Sequence, residues 1–555
     1  MYRITICLTL LWGLIHCPAD AQTLRNPLDI QPLLSGNFGE LRANHFHSGI
    51  DFKTQGVEGK NVYSVRDGYI CRLVVSPWGY GNVVYVAHPA DSLMTVYAHL
   101  QRFTEDVAAY VTEKQYELER FSVDLTCTPD QFPLNLGEIV GYSGNSGGSG
   151  GPHLHFEVRD WRTDEPVDPL PYYAGQIKDT RSPKARAVMI YPVEGAGVVN
   201  RSAQKQKWIP AATGNAQTEA WGKIAFSINV DDYMDGLGNV YGVKEISMSV
   251  DDDEIFHSYL DRFSFDETRY LNAWVDYEIW REQRSFYTKT FVEPGNRLRF
   301  ITSKNRGILT IDEPRIYHVV FQLTDAFGNT EQIALDVTGE EQPISAPDTD
   351  DATLFYWRAD NRFGASGIRL LIPGGSLYHP LYFRYAATRD TTGLSDIHTL
   401  HDRPVPLHRP AQLSLRLHQD TLEEKRHYGI VSLWDKKRSW IGGTYRDGWI
   451  DADIRELGTY LIASDTVAPR ITPVEPAQWM HKEAISFRLT DNLSGVETYR
   501  GTIDGQYVLF EMDGKKSLIY YTFDRSRLSR GEHALSLTVA DRCGNTSVYE
   551  TSFIW

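Results

Sequence analysis

Short runs of β-branched and aromatic residues, broken by glycine, proline and aspartate, set the pattern of the first third of the chain. Asn61 to Val65 ends at the turn Asp67-Gly68, and Tyr69 to Val75 ends at Pro77-Trp78-Gly79-Tyr80-Gly81. Val83 to Val86 and Leu93 to Tyr97 follow in the same manner. This texture predicts antiparallel strands joined by tight turns. One stretch differs. Thr104 stands where a helix cap belongs, Glu105 and Asp106 fall in the first turn, and the segment to Glu119 is rich in Glu, Lys, Gln and Ala. A helix is expected there, then a loop from Asp124 to Phe132. Residues 103–133 therefore read as an insertion between two strands of one β domain, either walling a groove or simply packed.

Beyond about residue 180 the strands alternate more strictly, and a turn of the form D-x-x-G-N recurs. Asp325 to Asn329 follows the strand ending at Leu323, and Asp541 to Asn545 follows the strand ending at Val539. The repetition predicts related β-sandwich modules of immunoglobulin-like type. Proline- and aspartate-rich linkers at 340–351 and 465–476 divide this half into modules at 179–345, 346–465 and 466–555. The fold class is mainly β: an antiparallel domain with a helical insertion, followed by β-sandwich modules.

Composition narrows the functional classes. With 555 residues, 42% of them hydrophobic, the chain can bury several cores. A formal net charge of -16 argues against nucleic acid and against anionic membrane surfaces as partners. The N-terminus carries Arg3, an apolar run from Ile4 to Ile15, and the small-residue pattern Ala19-Asp20-Ala21. That reads as a signal peptide over 1–21 cleaved after Ala21, too short to span a bilayer. Cys17 follows His16 rather than a small residue, which argues against lipid attachment. No later segment is apolar enough to span a membrane, so the mature chain is expected to be exported, to the periplasm, cell envelope or extracellular space. Cleavage would leave Cys71, Cys127 and Cys543, without CxxC spacing, and Cys71 and Cys127 are the candidates for pairing.

Two fragments carry metal-binding chemistry. In His47-Ser48-Gly49-Ile50-Asp51 an extended backbone points positions 47 and 51 the same way, and Gly49 between them presents no side chain to an approaching ion. Asp51 lies between Ile50 and Phe52, an expensive setting for a carboxylate without a partner. In His153-Leu154-His155-Phe156-Glu157 the two histidines share a face while Leu154 and Phe156 turn to the core. A hydrolytic zinc needs three nitrogen or oxygen ligands and one open position, which two histidines and one carboxylate supply. His99, in Tyr97-Ala98-His99-Leu100, could reach the same place. His45 forms a rival His-x-His with His47, but only His47 has an aspartate four residues on. Glu157 could orient a ligand, although a surface carboxylate is the simpler expectation. His88, before Pro89, reads as a surface turn residue, and His398 and His401, in a proline-rich stretch, as solvated. Asp251-Asp252-Asp253-Glu254 reads as a solvated turn rather than a calcium site. Gly144-Asn145-Ser146-Gly147-Gly148 has the form of a nucleophile elbow without the α/β context that elbow needs, and fits a flexible turn beside the cleft.

Together His47-x-x-x-Asp51, Tyr97-Ala98-His99-Leu100 and Gly151-Pro152-His153-Leu154-His155-Phe156 resemble the motifs of the lysostaphin and LytM type zinc endopeptidases, the beta-lytic metallopeptidase family. Gly79-Tyr80-Gly81-Asn82 and Gly137 to Gly144 match as well. The resemblance covers about residues 35–165 and implies a peptidase domain over 22–178. It also implies one zinc ion held by His47, Asp51 and His155, with His99 and His153 as non-ligand catalytic histidines. The implied activity is hydrolysis of peptidoglycan stem peptides or cross-links in cell-wall remodelling. An envelope protein bound through the C-terminal modules is a further expected partner. The rival expectations are a non-catalytic regulator or scaffold of another wall hydrolase, and an exported protease of ordinary proteins.

Overall fold

The computed structural model describes residues 23–210 and 218–555; the expected signal peptide lies outside them. The first domain is built on a nine-stranded sheet. Its strands are β1 (Leu34–Gly36), β2 (Ile50–Lys53), β3 (Gly68–Val75), β4 (Asn82–His88), β5 (Leu93–Leu100), β6 (Val123–Thr126), β7 (Pro133–Leu134), β8 (His153–Asp160) and β9 (Pro166–Val167). Seven run in the order β1-β2-β8-β5-β4-β3-β7, with β9 beside β8 and β6 beside β3. Every pairing is antiparallel.

The alternation in β8 explains its central place. Leu154, Phe156 and Val158 are completely buried on one face, where Phe156 meets Phe52, Tyr97 and Tyr173 edge-on. His153, His155 and Glu157 occupy the other face. The register sets His155 opposite Asp51 on β2 and Ala98 on β5. A slip of one residue would turn both histidines into the core.

The insertion forms α1 (Glu105–Glu117) behind Thr104, which precedes it in extended geometry. The stretch expected as a loop after it is partly strand, because Val123 to Thr126 extends the sheet beside β3. Cys71 and Cys127 lie on these neighbouring segments, where the Cys127 amide donates to the Cys71 carbonyl at 2.9 Å, yet both thiols are free.

Past residue 183 the chain remains β-rich. Residues 184–339 form one ten-stranded array around a core that includes Val188, Phe226, Met248 and Phe321. Residues 352–464 form a six-stranded and a five-stranded sheet around Phe383, Leu413 and Ile450. Residues 470–554 form two four-stranded sheets around Phe487, Leu537 and Phe510. No helix among the described residues is long and apolar enough to cross a membrane.

The first domain does not end in a clean surface. Phe46 packs on Phe263, Trp274 and Phe300 from the next segment, with ring centroids 5.4, 5.9 and 5.7 Å away. The last β unit also folds back on the first domain. Arg527 lies over Tyr116 at 3.8 Å, Tyr507 meets Tyr116 edge-on at 5.7 Å, and Arg500 pairs with Glu119 at 2.7 Å. The insertion helix thus serves as a docking post for the C-terminal unit.

Candidate metal centre

His47, Asp51 and His155 converge on one point. His47 Nε2 lies 3.1 Å from Asp51 Oδ1 and 3.0 Å from His155 Nδ1, and His155 Nδ1 lies 2.9 Å from the same carboxylate oxygen. Three donors on a tetrahedral zinc at roughly 2.0–2.1 Å would stand about 3.3 Å apart, so this near-equilateral triangle fits that ion with little adjustment. Its donor set, two imidazoles and one carboxylate, suits zinc better than the all-oxygen cations.

Two glycines make the convergence possible. Gly36 on β1 is opposite Asp51, and a Cβ there would sit 2.7 Å from Asp51 Oδ2. Gly49 has a different reason from the one its spacing suggests. A Cβ at Gly49 would meet the Phe156 carbonyl oxygen of β8 at 2.2 Å, so the residue allows close approach of the neighbouring strand rather than of an ion.

Each imidazole has its second nitrogen fixed. His47 Nδ1 donates to the Asn37 carbonyl at 2.7 Å, which leaves Nε2 as the free donor. His155 Nε2 faces Glu157 Oε1 at 2.8 Å, which directs Nδ1 inward. Glu157 is completely buried, contrary to the surface position expected of it. Its carboxylate also accepts from Ser48 Oγ at 2.5 Å and pairs with Arg159 at 2.5 Å. Burial opposes its ionisation, but Arg159 and His155 outweigh that and hold its pKa far below the ordinary carboxylate range. For His155 burial opposes charging, while hydrogen bonds to Asp51 and Glu157 raise its pKa to about 9. Asp51 is lowered: burial works against its charge, and His47 and His155 prevail. A cation between these groups is favoured by the same field that favours the proton.

His99 and His153 flank the triangle. Their ring centroids are 4.8 Å apart, and His99 is 5.9 Å from His155. His99 Nδ1 donates to the Ser146 carbonyl at 2.9 Å, and His153 Nδ1 to the Gly151 carbonyl at 2.8 Å. Both rings thereby keep an unprotonated Nε2, and that of His153 lies 3.5 Å from Asp51 Oδ1. Burial, with the neighbouring histidines, lowers the pKa of His99 to about 3; burial lowers that of His153 as well. His99 adopts a left-handed backbone, φ 59°, held by its amide bond to the Tyr80 carbonyl at 2.9 Å. Structures that hold a strained residue this firmly concentrate at functional sites.

Residues 45–116 of the chain match the family described as Peptidase family M23. The chain carries a peptidase M23 domain. Among curated relatives of that domain, the DD-carboxypeptidase/endopeptidase Mpg of Neisseria meningitidis serogroup B is 30% identical over 151 residues, 26% of this chain and 28% of that protein. The Neisseria gonorrhoeae protein of the same name matches to the same extent. The chain thus spans little more than a quarter of the length of these relatives. Among solved structures, the catalytic domain of lysostaphin from Staphylococcus simulans is 21% identical, with 26% of this chain and 93% of that chain covered and a TM-score of 0.20. A zinc-containing peptidase from Vibrio cholerae is 25% identical over 26% of this chain and 37% of that chain, with a TM-score of 0.18. Outside the M23 domain, residues 352–465 match a Zu5-like domain.

Of the other histidines and acids, some take the places their sequence context predicts and some do not. His45 is exposed, its ring turned to the Ala43 carbonyl. His88 is buried rather than at the surface, bonded to the Asp67 carbonyl at 2.9 Å and Thr95 Oγ1 at 2.8 Å. His398 and His401, expected in solvent, are buried beside Tyr385 and Phe383, because strand pairing and not the nearby prolines sets their position. The acidic run at Asp251 is an exposed turn, with Asp251 paired to Arg315 at 2.6 Å. The glycine-rich stretch from Gly144 borders the M23 site, where Ser149 Oγ lies 3.1 Å from His153 Nδ1.

Two neighbours of the site gave no sequence signal. Arg42 reaches Asp51 Oδ2 at 3.5 Å and Glu40 at 3.2 Å. Lys515, in the last β unit, donates to Asn145 Oδ1 and to the Ser149 carbonyl, both at 3.0 Å.

Proposed function

We propose that the chain is an exported zinc endopeptidase that cleaves peptide bonds of peptidoglycan. The observation that carries this reading is the triangle of His47 Nε2, Asp51 Oδ1 and His155 Nδ1, with two neutral histidines beside it. In this reading those three residues hold one zinc ion, and His99 and His153 are the catalytic histidines. Zinc bound there would act as a Lewis acid on the scissile carbonyl and lower the pKa of a bound water.

The chain's own part is positioning and proton handling. His153 presents a free Nε2 toward the Asp51 side of the site, where it accepts a proton from the attacking water. His99, also with Nε2 free, stands where it can take and return a proton at the leaving amine or face the developing oxyanion. Glu157 fixes the ring of His155 and raises its basicity. Arg42, half exposed beside Asp51, offers a guanidinium to a substrate carbonyl or carboxylate.

The wall substrate rests on the M23 match and on the relatives named DD-carboxypeptidase/endopeptidase, so the D,D bonds that name refers to are the first to assay. Export rests on the N-terminal signal pattern. The test incubates the purified, zinc-loaded chain with isolated peptidoglycan and identifies released peptides by mass spectrometry. New amine ends, lost on chelation and restored by zinc, are expected. Zinc-bound protein that releases nothing would overturn the reading.

One observation favours a second reading, a regulator or scaffold of another wall hydrolase. The turn carrying Lys515 rests on the loop at the rim of the site. A chain that binds zinc, releases nothing alone and stimulates a separate hydrolase would fit it.

A further inference from the structure

The two D-x-x-G-N turns are not idle repeats. In each, the aspartate is held the same way: Asp325 Oδ1 accepts the amides of Phe327 and Asn329 at 2.8 and 2.9 Å, and Asp541 Oδ1 those of Cys543 and Asn545 at 2.9 and 2.8 Å. The closing asparagine reaches a distant linker in both, Asn329 to the Asp179 carbonyl at 3.2 Å and Asn545 to the Asp465 carbonyl at 3.1 Å. Each turn thereby gathers a trio of aspartates, Asp179, Asp232 and Asp325 in one and Asp465, Asp491 and Asp541 in the other. Within each trio one oxygen from every residue lies within 4.8 Å of the others.

In the first trio the carboxylates are left unbalanced. Asp179 and Asp232 are 8% and 3% exposed, and Asp179 Oδ2 and Asp232 Oδ1 are buried without a hydrogen-bond partner. The nearest guanidinium, that of Arg181, lies over the Tyr233 ring at 5.0 Å and donates to the Met234 and Leu237 carbonyls. None of the three carboxylates forms an ion pair among the described residues. The second trio differs: Asp465 and Asp541 are held by backbone amides and by Asn545, and Asp491 is only half-buried, so it carries no assignment. Buried like charges without a counter-ion are costly, and a cation relieves that cost directly. Three hard carboxylate oxygens with no nitrogen or sulfur donor suit calcium, which completes its shell with carbonyls and water.

We infer that Asp179, Asp232 and Asp325 form a calcium site. It lies at the entrance to the β unit that follows the M23 domain. It ties the segment leaving that domain to the next sheet, since the backbone carbonyl of Asp232 accepts the Tyr241 amide at 3.0 Å and the Tyr241 hydroxyl donates to the Leu34 carbonyl at 2.9 Å. Gly242 then exchanges two hydrogen bonds with Asn37, whose carbonyl holds His47.

The test uses the full chain, stripped of metal, and titrates calcium chloride against heat release and thermal midpoint. One calcium ion per chain and a raised midpoint are expected. Asp232→Asn should bind none, whereas Asp491→Asn should bind as the parent does. Because Asp232→Asn removes a buried carboxylate from the trio, the metal-free variant should melt no lower than the metal-free parent, which separates lost binding from lost folding. Circular dichroism of each variant checks the same point. Uptake of no calcium, preference for magnesium, or an intact calcium site in Asp232→Asn would overturn the assignment.

Discussion

Lys515 reaches back across 370 residues of sequence to donate to the side chain of Asn145 at 3.0 Å. The same ammonium donates to the Ser149 carbonyl, and the Ser149 hydroxyl lies 3.1 Å from His153 Nδ1. The last β unit thus holds the loop that orients one of the two flanking histidines. Lys515→Ala should lower kcat by about tenfold or less, as for one lost charge-assisted hydrogen bond, with zinc content and KM little changed. Lys515→Arg should recover part of the rate. Steady-state kinetics on a soluble wall peptide, beside metal analysis, would expose a purely spectator contact as unchanged kcat.

Glu157→Gln tests the carboxylate behind His155. The amide keeps the shape but loses the charge facing Arg159, whose side chain is only 4% exposed. Zinc affinity should fall about 10- to 100-fold, the usual result when a ligand histidine loses its carboxylate partner. Stability should drop by about 3 kcal/mol as a buried ion pair is broken, less whatever Asp164, at 3.0 Å from Arg159, restores. Competition with a chromophoric chelator and thermal melting give the two values separately.

The contrast between Glu157 and its neighbours shows what a sequence can report. The shared face of His153 and His155, and the pairing of Asp51 with His47, were legible because a strand repeats every second residue and zinc chemistry restricts the donors. The β texture of the whole chain and the helix after Thr104 were legible for similarly local reasons. Glu157 lies on the same face as His155 and beside Arg159 on the same strand, but its burial depends on Ser48 and Tyr80, which reach it from separate segments. His88 was read as a surface residue because the turn at Pro89 is local, whereas its partners at Asp67 and Thr95 are not. Lys515 had no local signal at all, since its role exists only once the last unit docks. Periodicity reports which face a residue takes, and leaves open what packs against that face.

The two histidines of β8 should separate cleanly on substitution. His155→Ala removes a corner of the donor triangle and should lose both zinc and activity. His153→Ala leaves His47 Nε2, Asp51 Oδ1 and His155 Nδ1 in place and should keep zinc while losing about 100-fold or more in kcat, the range of a general base. Metal content measured after dialysis, together with turnover, decides the matter. Equal loss of zinc in both would refute the division of roles.

Acid sensitivity should arise in the Zu5-like domain. His408 stacks on Tyr270 with ring centroids 4.0 Å apart, and Arg269 and Arg455 stand close by, each donating to a carbonyl of Leu407 or His408. Burial, then Arg269, Arg409 and Arg455, depress its pKa from the ordinary 6.5 to about 4. The unfolded chain therefore takes up the proton first as pH falls, so stability is complete above about 6.5 and declines between there and about 4. His401, lowered to about 4 chiefly by burial, acts in the same direction. Thermal midpoints from pH 7 to 4.5 should fall, and the fall should be smaller in His408→Gln, which has no proton to gain. A pH profile identical to that of the parent chain would show that His408 contributes nothing to it.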